Sequence, residues 1–392
     1  MRPKGILIYY HCQSNTGYAI GRHEPDFLKM AEVLTGSLTN VHVAYTTLKG
    51  GMPSYVPSGF NNVIEFDPAD SNTAVLQRIY DYISIHEIDV AFGFDQPVSC
   101  PAHKMLRKAG VKLLVSYWGA PMSSLNGGLK LALKRFEVKL RRHKPDHYIF
   151  QSKAMADSAV LGRGVDPKDV TVIPNAVDTT VFSPDPSFAA YAYDVFGIPN
   201  NRKIIFYSGH MEERKGVHII VKAAMKLVTD RKRDDMHFVF LGNKDGEEQR
   251  LQNMYCGTPV EEFITFGGYR DDINMIHKSC YLGVIATTGW DSFTMSSMEM
   301  ASSGLPLIVS KLQGLKETII EGVTGFLIEP GDFSELAEKI ESLVDNPVLR
   351  DEMALAARSR VVDRYSLDKH IQHLISLMKR LYGSHAGGND VY

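Results

Sequence analysis

Two carboxylates, Asp291 and Glu299, stand eight residues apart in the stretch WDSFTMSSMEMASSG (290–304). An apolar run, YLGVIATT (281–288), precedes them, and a second, LPLIVS (305–310), follows a helical pattern. Carboxylates at the mouth of a strand-to-helix turn can grip a polyol, and the N–H groups of such a turn, here Ser292, Phe293, Thr294 and Met295, can hold a phosphate. The plainer alternative is an Asp that caps a helix and a Glu on its surface. Against it, Glu299 sits among Met298, Met300 and Ala301, between apolar strands. A carboxylate near a core needs polar partners, and sugar or ribose hydroxyls would serve.

A second chemical stretch is SGHMEERKG (208–216). Gly209 lets the backbone turn, and Lys215 and Gly216 open a helix where unpaired N–H groups and the dipole favour anions. Arg214 adds charge and His210 offers a hydrogen bond, while Glu212 and Glu213 partly cancel the field, as in a solvated cap. Three further pieces carry weaker signals. In VIPNAVDTTVFSP (172–184), Asn175 and Asp178 follow a strand end, and a linker turn is the physical expectation. In SNTGYAIG (14–21), Gly17 and Tyr18 lie in a first loop that lacks the GxGxxG of a dinucleotide site but can still touch a phosphate or an acceptor. In LKLALKRFEVKLRRHK (129–144), Leu129, Leu133, Phe136 and Leu140 share one helical face, and Lys130, Lys134, Arg141 and Arg142 lie roughly opposite. A surface helix packed on a sheet by its apolar face is favoured; a membrane-surface patch or a dock for an anionic acceptor is the sharper reading.

Repeated βαβ units must position these residues. Continuous apolar runs alternate with helical patterns along both halves, as in parallel sheets buried on both faces. The runs of the first half fall at 5–10, 41–47, 61–66, 89–94, 112–118, 147–152 and 170–175; those of the second fall at 203–209, 237–242, 263–269, 281–288, 305–310 and 324–330. With 392 residues the chain exceeds what one core usually serves, so two Rossmann-like domains in series are expected. Their bounds are set at 1–180 and 200–365, with a closing helix and tail at 366–392. Pro184, Pro186 and Pro199 mark 177–201 as the hinge. Ligands of such sheets sit at the carboxyl ends of the strands, so the cleft between two such domains is the expected active site.

Composition narrows the chemistry. A net charge of −2 gives no global pull toward nucleic acid or membrane, so any such attraction is local. The cysteines at 12, 100, 256 and 280 lack CxxC spacing, which fits a reducing cytosol and neither a disulfide framework nor a zinc site. The N-terminal run turns polar at once and reads as a first strand, not as a leader or a membrane span.

These motifs, in this order, resemble the family 4 retaining glycosyltransferases of GT-B architecture, over roughly 147–365. IPNAVDTTVF resembles the family's domain-junction segment, SGHMEERKG its donor-phosphate loop, and WDSFTMSSMEMASSGLPLIVS its E-x7-E region. The resemblance implies two facing Rossmann-like domains, the first on the acceptor side and the second binding the donor, with a C-terminal helix crossing back to the first. It also implies Lys215 as a diphosphate ligand, Asp291 on the donor sugar and Glu299 on the ribose. The chain departs from the family at four places: His210 stands for the usual arginine, Asp291 for glutamate, Thr294 for glycine, and Trp118 where many members have a histidine. Trp118 then offers either a stacking face for a sugar or a core residue.

The expectation is therefore a cytosolic, metal-independent hexosyltransferase that uses a UDP- or GDP-linked sugar and needs no cofactor. Lys215, Asp291 and His210 would be catalytic. Gly209, Arg214, Ser292, Phe293, Thr294, Met295 and Glu299 would bind the donor, and Gly17, Tyr18, Trp118 and Asn175 would face a glycan, lipid-linked or small-molecule acceptor. Peripheral contact with the inner membrane face through 129–144 is a further expectation; nucleic acid is not. Two alternatives remain: a sugar-nucleotide-binding protein without turnover, and a phosphorylase-like enzyme of the same fold with a pyridoxal phosphate lysine.

Overall fold

A computed structural model describes residues 2–244 and 246–386 of the chain. It separates into two compact units, Met1–Pro174 joined by Asp368–Tyr392, and Asn175–Leu367. Each apolar run named above forms a strand. The first unit carries β1 (Ile6–Tyr9), β2 (Val41–Tyr45), β3 (Val63–Glu65), β4 (Val90–Phe94), β5 (Leu113–Trp118), β6 (His147–Phe150) and β7 (Val170–Val172). The second carries β8 (Lys203–Ser208), β9 (Met236–Leu241), β10 (Ile264–Phe266), β11 (Leu282–Ile285), β12 (Leu307–Ser310) and β13 (Gly325–Ile328).

Every strand pair is parallel among the described residues. The orders are β3-β2-β1-β4-β5-β6-β7 and β10-β9-β8-β11-β12-β13. Both are doubly wound. In each, the order reverses beside the first strand of the unit, and the loops leaving β1 and β4, or β8 and β11, diverge to leave a crevice at the carboxyl edge. Central strands such as β4 and β9 are buried along their length, which explains why their sequences are continuously apolar rather than alternating.

Helices α1 (Tyr18–Thr35), α2 (Thr73–Ile85), α3 (Pro101–Lys108) and α4 (Gly128–Leu140) cross over between strands of the first unit. The closing helix, Leu367–Ala386, belongs to this unit as well. Its Leu374, Leu377, Met378 and Tyr382 join the core formed by β1, β2, β4 and β5. Tyr382 donates to Asp89 Oδ2 at 2.5 Å. Burial of such side chains stabilises by about 1.5–3 kcal/mol apiece, an upper bound for a partly compact unfolded chain. From Asp368 on, the described residues of the expected closing segment thus join the first unit, as the resemblance implied.

Two expectations are corrected. The proposed hinge at 177–201 is not a free linker. Val177, Phe182, Ala192 and Ile198 are buried in the second core, and the short helix Tyr191–Phe196 ends on Gly197, so this segment is folded into the second unit. The chain changes unit between Pro174 and Asn175 instead. The apolar face of α4 does not pack on the sheet. Leu131 and Val138 are buried, whereas Leu129, Leu133, Phe136 and Leu140 are 60–76% exposed. At about 100° per residue the two sets lie on opposite sides of the helix. Close backbone approach fixes that choice: a Cβ on Gly164 would press on the backbone of Lys134 and Arg135, so α4 lies against the segment 158–164 by its other side.

Candidate active site

The two chemical loops of the second unit leave the adjacent strands β8 and β11, at the point where the strand order reverses. After Ser208 the chain runs through Gly209 and the exposed His210, makes a single turn over Glu213–Lys215, and enters the helix Val217–Met225 through Gly216. Gly216 has φ 70°, and any Cβ there would collide with the Ala286 carbonyl at the end of β11. Only glycine satisfies both constraints. The contact draws the loops together. The Arg214 carbonyl accepts from Thr288 N at 2.8 Å and Gly289 N at 3.2 Å, and the Arg214 guanidinium donates to the Trp290 carbonyl at 3.0 Å.

This junction sets Lys215 Nζ 2.9 Å from Asp291 Oδ2, with the two side chains 16% and 5% exposed. The same oxygen accepts from Thr287 Oγ1 at 2.8 Å, and Oδ1 accepts from Ser292 N at 3.0 Å. The carboxylate expected to face ligand hydroxyls is thus turned onto the lysine, because an opposite charge at this distance in a largely dry site outweighs water. An ammonium has three N–H donors. Among the described residues Asp291 is its one hydrogen-bond acceptor, so two donors are left for a ligand. The other charges of the loop are also matched: Arg214 Nε lies 2.8 Å from Glu212, and Glu213 pairs with Arg250.

The helix Met295–Ser302 begins beside this pair. Thr294 precedes it, yet no side chain caps its leading N–H groups, because Thr294 Oγ1 bonds to Ser297 Oγ at 2.7 Å instead. Free N–H groups and the helix dipole at this mouth favour an anion. Ser296 Oγ donates to the Ser208 carbonyl at 3.1 Å and ties the helix start to the end of β8. Glu299 is buried in the second turn of this helix. The Phe293 ring packs in the core against Tyr365, with centroids 5.1 Å apart, so only its backbone borders the site. Its carbonyl accepts from Asn175 Nδ2 at 2.6 Å. Asn175, expected on the acceptor side, therefore belongs to the second unit, where its amide supplies the donor that a buried carbonyl requires.

The first unit has its own crevice residues, at the carboxyl ends of β1 and β4. Asp95 directly follows β4 and has φ 53°, a left-handed conformation rare for a residue with a Cβ and characteristic of functional turns. Its Oδ1 accepts from Gly119 N at 2.7 Å. Burial raises its carboxyl to about 6, against the opposing pull of the Gly119 N–H and of His11. His11 stacks on Phe94 at 5.9 Å, and its Nδ1 lies 3.3 Å from the Phe94 carbonyl. Trp118 ends β5, is 9% exposed and stacks on Phe150 at 6.2 Å, so its ring is engaged by the core rather than offered to a sugar. Gly17 is exposed ahead of α1 with φ 68°; the Tyr18 side chain lies outside the described residues.

Sequence reasoning brought Lys215, Asp291, Thr294 and Glu299 to one constellation but passed over Thr287, Ser296, Asp95 and His11. Thr287 was hidden in an apolar strand run. Asp95 carried one signal, an acid at a strand end two residues before Pro97.

Comparison with known proteins adds an independent line. Residues 37–181 match the family model described as Glycosyltransferase Family 4, and residues 193–360 match the model described as Glycosyl transferases group 1. The chain is 25% identical over 214 residues to the D-inositol 3-phosphate glycosyltransferase of Arthrobacter sp. (strain FB24), covering 53% of this chain and 50% of that protein. It is 25% identical over 213 residues to the Escherichia coli UDP-Gal:alpha-D-GlcNAc-diphosphoundecaprenol alpha-1,3-galactosyltransferase, covering 54% of each. The chain thus spans about half the length of the curated relatives it matches. In fold it is similar to Anabaena HepE, crystallised in complex with UDP: TM-score 0.77, 18% identity, 96% of this chain and 100% of that one.

Proposed function

The chain belongs to the family 4 glycosyltransferases of GT-B fold, and we propose that it is a retaining enzyme that moves a hexose from a UDP- or GDP-linked sugar to a hydroxyl acceptor. The observation that carries this reading is the joined pair of loops at β8 and β11, where Lys215 meets Asp291 beside an uncapped helix start. Cleaving the sugar–phosphate bond builds positive charge on the sugar and negative charge on the departing diphosphate. Fixed N–H dipoles and an ammonium at that diphosphate stabilise the transition state more than the ground state.

In this reading Lys215 and the amides of 292–295 take the diphosphate, and His210 and Arg214 assist from the solvent side. Asp291 orients Lys215 and, when the lysine turns to phosphate, is released toward the sugar hydroxyls; Glu299 holds the ribose. The C1–O bond to the diphosphate breaks as the acceptor oxygen bonds C1 on the same face. The acceptor proton passes to the departing phosphate oxygen, so no separate side-chain base is needed. No resident metal takes part in the proposed transfer.

The acceptor is assigned to the crevice of the first unit, with Asp95 and His11 as its polar groups. The exposed stripe of α4 supports a lipid-linked acceptor held at an anionic membrane surface. Four large apolar side chains lie in a row, and residues 128–144 hold seven Lys and Arg against one acid, Glu137. Glu137 is itself paired with Arg141 and Arg163. Such a helix lies in the interface plane with its apolar side down. No described helix is long and apolar enough to cross a membrane. Matched charges in the donor loop favour one other reading, a sugar-nucleotide-binding protein without turnover.

The test is Lys215→Ala against a panel of nucleotide sugars, with nucleoside diphosphate binding measured alongside transfer. The expected loss is about 3 kcal/mol of transition-state stabilisation, roughly a hundredfold or more in kcat/KM, together with weaker diphosphate binding. If binding and transfer both survive unchanged, the donor site lies elsewhere. Binding by the wild type without transfer to any acceptor favours the second reading.

A further inference from the structure

Helix α1 and the closing helix bring three potential ligands together inside the first unit: His23, Asp26 and His370. None of the sequence motifs includes them, and the proposed sugar transfer does not use them. All three are buried, and their ligand atoms lie within 4.8 Å of one another. His23 and Asp26 are three residues apart on α1 and so project from one face of the helix. His370 arrives from the far end of the chain.

The hydrogen bonds around the cluster set the protonation of both imidazoles. His370 Nδ1 lies 2.9 Å from the Pro174 carbonyl, which can only accept, so Nδ1 carries the proton and Nε2 keeps its lone pair. That Nε2 is buried and has no hydrogen-bond partner among the described residues. The Gln151 amide nitrogen lies 3.1 Å from His23 Nε2 and can only donate there, so this ring nitrogen is unprotonated, and its lone pair becomes available to an ion once the amide turns away. A carbonyl behind His370 is the kind of outer partner that fixes ring orientation in metal sites. Phe27 and Tyr117 line the cluster, their rings 5.7 Å and 5.3 Å from that of His23, and keep it dry. The Arg22 charge acts on the Asp26 carboxyl and pulls against its burial.

We propose that His23, Asp26 and His370 form a binding site for a divalent transition-metal ion, zinc being the best match. Two neutral imidazoles and one carboxylate are donors of the right hardness, and they leave a fourth position for water or the Gln151 oxygen after rotation of its amide. A tetrahedral ion with bonds of about 2.1 Å sets its ligands about 3.4 Å apart, so no pair need close by more than about 1.4 Å on binding. The ion pins the closing helix to α1. It is a clamp within the first unit, independent of the donor chemistry assigned to Lys215.

The experiment is metal uptake by the full chain, read without any sugar transfer. Chelator-stripped protein is titrated with Zn²⁺ at neutral pH, and Co²⁺ is used as a spectroscopic probe. The expected result is one tightly held ion per chain, a Co²⁺ visible spectrum of nitrogen–oxygen ligation, and a rise in unfolding temperature with Zn²⁺. Asp26→Asn and His370→Gln, checked for folding by circular dichroism, should bind at least about a hundredfold more weakly, at or beyond the loss typical of an outer-shell partner. Uptake unchanged in both variants, or no stoichiometric uptake by the wild type, overturns the site and leaves a hydrogen-bonded cluster. Should both variants misfold, histidine-labelled wild-type protein decides. Zn²⁺ must shift the resonances of His23 and His370 and spare those of His42 and His237; any other pattern overturns the proposal.

Discussion

Lys215 and Asp291 neutralise each other in the ligand-free chain, so any diphosphate that takes the lysine competes with the aspartate. Asp291→Asn removes that competitor. It should tighten nucleoside diphosphate binding by about three- to tenfold while lowering transfer at least about tenfold, since charged hydrogen bonds are roughly twice as strong as neutral ones. Calorimetric titration with UDP and GDP reads the first effect; unchanged or weaker binding would mean that the pair does not govern the donor site. Asp95 makes a different prediction. Burial raises its folded carboxyl to about 6, above its ordinary value near 3.8, so the folded chain holds this proton more tightly than the unfolded one. Its contribution to stability is therefore present below about pH 3.8 and lost as pH rises through about 6. Asp95→Asn should stabilise the chain at pH 7 yet flatten the rise of acceptor kcat/KM through pH 6; a variant less stable than the wild type, or with an unaltered pH profile, would refute the assignment. The donor pair was legible because its charges fall in recognisable turns. Asp95 was not, because an acid at a strand end is a weak signal and the left-handed backbone angle that singles it out shows only in the structure.

At the level of elements, α4 shows what periodicity can and cannot carry. The spacing of Leu129, Leu133, Phe136 and Leu140 marks a stripe, but not the side of the helix that meets the protein. Leu131 and Val138, too sparse to read as a face, are the residues that pack. An exposed stripe allows a clean test, because its removal leaves the fold intact. Leu133→Glu with Phe136→Glu should leave circular dichroism and thermal stability unchanged and abolish retention on vesicles containing anionic lipid. Wild-type retention should weaken as salt rises, with each cation worth about 1 kcal/mol near such a surface. Equal retention of wild type and double variant would discard the membrane role of this helix. The same lesson applies to 177–201. Its three prolines read as a linker, yet the apolar residues between them fill the second core.

At the scale of the molecule, the thirteen strands among the described residues were legible because a strand buried on both faces writes an unbroken apolar run. The first point where the chain changes unit was not, since it follows from which core a few residues join; the second falls within two residues of the expected bound. One property emerges only at this scale. His42, His103, His147, His237 and His277 are all buried, and burial lowers each from 6.5, His277 to about 3 and the others to about 4. The unfolded chain binds these protons first as pH falls. Stability is therefore full above about 6.5 and declines toward 4, by about 1.4 kcal/mol per pH unit for each proton taken up on unfolding. Urea unfolding at pH 7.5, 6 and 5 should show a steep fall in midpoint, less steep in His237→Gln; a flat response would refute this. The return of the closing helix has a consequence in time as well as in space. Leu374, Leu377, Met378 and Tyr382 complete the core of the unit that is synthesised first. That unit must wait, with an apolar surface uncovered, until Leu367–Ala386 has left the ribosome, whereas the second unit precedes that helix in the chain. Of the two units, the one whose strands are made earlier is the one that finishes folding later, and the interval between leaves its apolar surface exposed to aggregation.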